Sequence, residues 1–116
     1  MGSINSRQKG ASGERELANI LKQYGYETRR GQQFSGASGD ADVIGLDHIH
    51  IECKRVEKLN LTNAYEQAKR DAKQGTFPAV FHRKNREKWM VSMSLEHWLV
   101  LYEAYLREVE NDTKDN

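Results

Sequence analysis

The chain has 116 residues, is 37% hydrophobic and 30% charged, and carries a net charge of +1. These values describe one globular domain with a core of modest size and a polar surface, and they exclude a disordered chain. No apolar run approaches the ~20 residues that cross a bilayer, no signal-peptide pattern opens the chain, and a single cysteine excludes an internal disulfide, so a cytoplasmic protein is expected.

In chain order, the first helix is expected to start after Lys9-Gly10, with Ser12 as N-cap. Leu17, Ile20, Leu21 and Tyr24 follow at helical spacing, and Gly25 supplies the stop. Residues 26–30 (YETRR) read as a short strand, and 31–39 (GQQFSGASG) as a mobile loop. Two β-rich runs around Asp47, ADVIGL and HIHIECKR, form a hairpin. A second helix is expected over 61–73, with Ala64, Ala68 and Tyr65 facing inward, closed off by Gly75 and Pro78. AVFHR and KWMVSMS give two more strands around the polar turn KNRE, and a last amphipathic helix starts near Leu95. Residues 1–8 are expected to be a flexible N-terminus and 110–116 a disordered acidic tail, leaving 9–109 as the folded domain. The order α-β-β-β-α-β-β-α predicts an α/β fold, a mixed sheet flanked by helices.

The hairpin carries charges where a strand would be half buried. Side chains alternate along a strand, so Glu52 and Lys54 share one face while Ile49, Ile51 and Cys53 point to the other, towards a core. A three-residue loop, 46–48, sets Asp42 opposite Glu52 and Asp40 opposite Lys54; a two-residue loop would shift the pairing by one and split the face. Facing carboxylates repel, so a cation must offset them: Lys54, a divalent metal, or both. Mg²⁺ takes one or two protein carboxylates and leaves its other positions to water and phosphate, which suits phosphodiester hydrolysis. The competing reading is a solvated face of ordinary cross-strand pairs. Glu14, on the apolar stripe of the first helix, either reaches the sheet or complements the helix dipole.

The stretches KGASGERELANILKQYGYETRR, GDADVIGL and IHIECKR resemble the archaeal Holliday-junction resolvases and related phage resolvase-like endonucleases of the PD-(D/E)XK superfamily. The likeness spans roughly residues 8–100 and includes the strand with Trp89. It implies a restriction-endonuclease-like fold and a DNA endonuclease of recombination and repair, resolving four-way junctions as a homodimer, in a bacterial or archaeal host or encoded by a phage. It implies Mg²⁺, with Mn²⁺ as a substitute, and no small-molecule cofactor or membrane. By the resemblance, Asp42, Glu52 and Glu14 are metal ligands, Lys54 orients or deprotonates the attacking water, and Gln67 is a supporting catalytic group. Ala41 stands where the superfamily often has proline, and Asp40 competes for the role of Asp42.

Residues 1–93 hold 16 Lys/Arg against 11 Asp/Glu, a balance of +5, whereas 94–116 hold 2 against 6, a balance of −4. The basic clusters suit a phosphate-backbone partner. The DNA-contact candidates are Lys9, Arg15, Arg29, Arg30, Gln33, Ser38, Arg55 and Lys58, with Gln32 beside them. His48 and His50 form an H-x-H that offers an alternative site for Zn²⁺ or Fe²⁺; otherwise both are surface groups near the turn. Cys53 is expected in the core, and Trp89, Trp98, Tyr102 and Tyr105 in the core or a dimer interface.

Overall fold

The computed structural model describes residues 2–31 and 41–115, with side chains from 10 to 113 within those spans. They form α1 (Gly2–Gln23), β1 (Arg29–Arg30), β2 (Val43–Ile44), β3 (Ile49–Arg55), α2 (Leu61–Asp71), β4 (Phe77–Arg83), β5 (Met90–Ser92) and α3 (Leu95–Asp115). The element order is the one expected. The five strands lie in the order β1-β2-β3-β4-β5. β3 and β4 are parallel through the α2 crossover, and the other pairs are antiparallel.

The hairpin register is the one a three-residue loop demands: Val43 pairs with Ile51, which sets Asp42 alongside Glu52. His48 (φ 71°) and Gly45 (φ 118°) absorb the reversal. A Cβ on Gly45 would collide with the Glu27 carbonyl and lie 2.7 Å from Thr28 Cα, so the turn packs directly on the backbone leading to β1.

Alternation divides the sheet into two faces. On one, Ile51, Cys53, Ala79, Phe81 and Val43 pack with Leu17 and Ala18 of α1 to form the core. On the other, Glu52 and Val80 are buried, and α2 covers that face with Ala64 and Ala68. Alanines at those positions let α2 lie close to the sheet, while Tyr65 is half-buried. Asn60 caps α2 by accepting from Asn63 N, and Ser94 Oγ caps α3 by accepting from His97 N.

Several boundaries differ from expectation. α1 runs back to Gly2, so Ser12 lies inside it rather than at its cap. Gly10 and Ser12 each cost a helix only ~1 kcal/mol or less, which is too little to stop it. Gly25 does end α1: at φ 102° its N–H bonds Lys22 O and Tyr26 N–H bonds Leu21 O. Pro78 lies within β4 instead of closing α2. It is tolerated because β5 pairs only with Val80 to His82, so on that side no partner is left waiting for the missing N–H. α3 continues through Asp115, across the stretch expected as a tail. Among the described residues, no helix is long and apolar enough to cross a membrane.

Candidate active site

β3 brings the chemistry together because its even-numbered side chains point under α2. Glu52 is only 3% exposed. That burial removes the reading of a solvated face. Lys54 Nζ lies 3.4 Å from Glu52 Oε2 and is itself about one-third exposed, so it links the buried carboxylate to solvent. Asp42 Oδ2 accepts from Cys53 N at 2.8 Å, which anchors its side chain across the hairpin.

Burial first, and then the Asp42 charge, push the Glu52 carboxyl from its ordinary 4.5 up to about 7, with Lys54 opposing and Asp71 adding to the rise. A cation beside Glu52 and Asp42 would offset both the burial and the carboxylate repulsion that hold the proton on. Burial also raises the Glu14 carboxyl; Arg30 and Lys54 oppose that rise and Asp42 adds to it. Arg30 Nε donates to Glu14 Oε1 at 2.9 Å.

The structure thus gathers Asp42, Glu52 and Lys54, and holds Glu14 beside them in an ion pair with Arg30. Among the described residues, no three His, Cys, Asp or Glu side chains stand close enough together to hold a metal ion. A hard divalent cation needs only one or two protein carboxylates, and Asp42 with Glu52 fit that requirement as oxygen donors. Gln67 is half-buried on the same stripe of α2 as Ala64 and Ala68.

The remaining candidates divide by position. Arg15, Arg29 and Lys58 are exposed. Arg55 alternates to the face opposite Lys54 and pairs with Glu16 at 3.6 Å, under Gly13 of α1. Gln32, Gln33, Ser38 and Asp40, the loop expected at 31–39 apart from Gly31, and the side chain of Lys9 lie outside the described residues. His48 is exposed in the turn, but His50 is 7% exposed, not a surface group. Burial lowers its pKa, against the charges of Asp71 and Asp42, and so favours the neutral imidazole. Cys53 is buried as expected, and burial pushes its thiol far above the ordinary range. Trp89 packs against the core, whereas Trp98, Tyr102 and Tyr105 are exposed.

Two residues escaped the sequence reading. Asp71 follows Ala64 by seven positions and Ala68 by three, on the stripe that faces β3, and that periodicity was a usable signal. Glu16 accepts from Arg83 Nε at 2.8 Å and Trp89 Nε1 at 2.9 Å, tying α1 to the far end of the sheet. Nothing in local sequence distinguishes it from an exposed helix glutamate.

A family model described as "phage putative PDDEXK endonuclease" matches residues 5–113. No curated protein and no solved structure matches the chain. The matched span takes in Glu14, Asp42, Glu52 and Lys54, and the mixed sheet with its flanking helices is a restriction-endonuclease-like fold. The chain belongs to this PDDEXK endonuclease family.

Proposed function

We propose that the protein is a Mg²⁺-dependent, structure-selective DNA endonuclease that resolves four-way junctions by paired phosphodiester hydrolysis. One observation carries the reading: a nearly fully buried Glu52 beside Asp42, with Lys54 3.4 Å away and reaching solvent. The choice of junctions over other DNA rests on the sequence resemblance of KGASGEREL, GDADVIGL and IHIECKR to resolvases.

In this reading Asp42 and Glu52 hold the cation, which supplies Lewis-acid activation of the phosphodiester and a lowered pKa for water. Lys54 orients the attacking water and neutralises charge that develops on the phosphorane oxygens. Water adds to phosphorus, the 3′-oxygen departs, and the products carry 5′-phosphate and 3′-hydroxyl ends. Arg30, held by Glu14, and the exposed Arg29 on β1 offer cations to flanking phosphates. Paired cuts need two active sites, hence a two-fold homodimer.

The test is incubation of labelled four-way junction, flap and linear duplex with the protein in Mg²⁺, Mn²⁺ or EDTA. Paired, metal-dependent nicks confined to the junction are expected. Cutting of flaps or duplex instead makes it a related endonuclease, and binding without cutting a DNA-binding module. Lys54→Ala should abolish cleavage and leave junction binding intact; full activity in that variant would sink the site.

A further inference from the structure

The last helix is left almost bare. Every described residue of α3 from Trp98 to Thr113 is exposed. Among the described residues it meets the sheet near its start, where His97 stacks on Phe77 at 4.1 Å and Trp98 and Leu101 flank an apolar groove of about 340 Å³ over Phe81, Val91 and Met93. Helices in proteins draw most of their stability from a packed apolar face rather than from intrinsic propensity.

That face exists and has a register. Leu95, Leu99, Tyr102, Leu106 and Val109 recur at intervals of four, three, four and three residues, the spacing of a coiled-coil seam. At 100° per residue they form a stripe pointing away from the side that carries His97 and Leu101. Nothing in the described chain covers it: the five side chains are 38–70% exposed. Trp98 stacks on Tyr102 at 5.1 Å, so groove and seam make one continuous apolar surface.

We infer that this seam is the interface with a second copy of the same chain, α3 packing on α3 about a two-fold axis. Three observations select that occupant. The four-three spacing is the one a second helix fits. The five seam side chains are 38–70% exposed and Trp98 stacks beside them on Tyr102, so the apolar surface awaiting burial is concentrated on the side a partner helix would meet. Residues 94–116 hold 2 Lys/Arg against 6 Asp/Glu, so the helix repels a nucleic acid and the basic remainder of the chain is left to meet it. A two-fold pairing buries the same patch on both copies, which one seam per chain allows. The inference bears on the proposed paired cutting by supplying two active sites, but its test reads mass alone and stands whether or not the protein cuts junctions.

Sedimentation velocity of the full chain at micromolar concentration should give a dimer. Leu106→Glu, in the seam, should weaken dimerisation by more than about a hundredfold, because each copy would bury an unpaired charge. Val100→Glu is the control: Val100 is 48% exposed on the same helix but lies off the seam, so this variant should remain dimeric. Far-UV circular dichroism should show both variants folded, since neither residue is in the core. A monomeric wild type would overturn the inference. So would a dimer that survives Leu106→Glu, or one that Val100→Glu disrupts equally.

Discussion

Replacing Glu52 by glutamine removes the ionisable group and keeps its shape, so the buried charge can be read as stability. The folded protein holds this carboxyl at about 7 against an ordinary 4.5. At ~1.4 kcal/mol per pH unit, the ionised form carries a penalty of about 3 kcal/mol. Below pH 4.5 both folded and unfolded chains keep the proton and no penalty arises. As pH rises towards 7 the unfolded chain releases its proton first, so the wild type loses stability, and the loss is complete once the folded carboxyl has ionised. Urea melts of both proteins at about pH 4.5 and about pH 8 isolate the effect: E52Q should gain about 3 kcal/mol relative to wild type over that span. MgCl₂ added at the higher pH should stabilise the wild type by binding the ionised site, and should do little for E52Q. Equal pH dependence in the two proteins would refute the buried-charge argument. Equal stabilisation by Mg²⁺ would refute Glu52 as a ligand.

Glu16→Ala should cost about 2 kcal/mol in urea melts, because Arg83 and Trp89 lose their shared acceptor. Burial alone would raise the Glu16 pKa, but its hydrogen bonds from Arg83 and Trp89 outweigh burial and lower it below 4.5. The stability this provides is therefore present above pH 4.5 and lost on further acidification; unchanged acid sensitivity in the variant would count against it. Gly45→Ala should cost more than about 2 kcal/mol, since φ 118° and the Glu27–Thr28 backbone both exclude a side chain. A thermal melt matching wild type would show that the hairpin turn can move aside.

The sequence by itself determined the order of elements and the strand face that carries Glu52 and Lys54. Alternation along IHIECKR separates Glu52 and Lys54 from Ile51 and Cys53 without reference to the rest of the chain, whereas the pairing of Val43 with Ile51, which selects the three-residue loop, came from the structure. Periodicity is a local property, so it survives in one dimension. Burial is not local. Only the tertiary structure decided that Glu52 lies beneath α2 with a carboxyl raised to about 7, that Glu14 is engaged by Arg30, and that Arg55 turns inward to Glu16. The same holds for α3, whose apolar residues read as core or dimer interface in sequence and stand exposed in the fold. A pattern states which side of a helix is apolar; what covers that side depends on contacts between distant segments, or between chains.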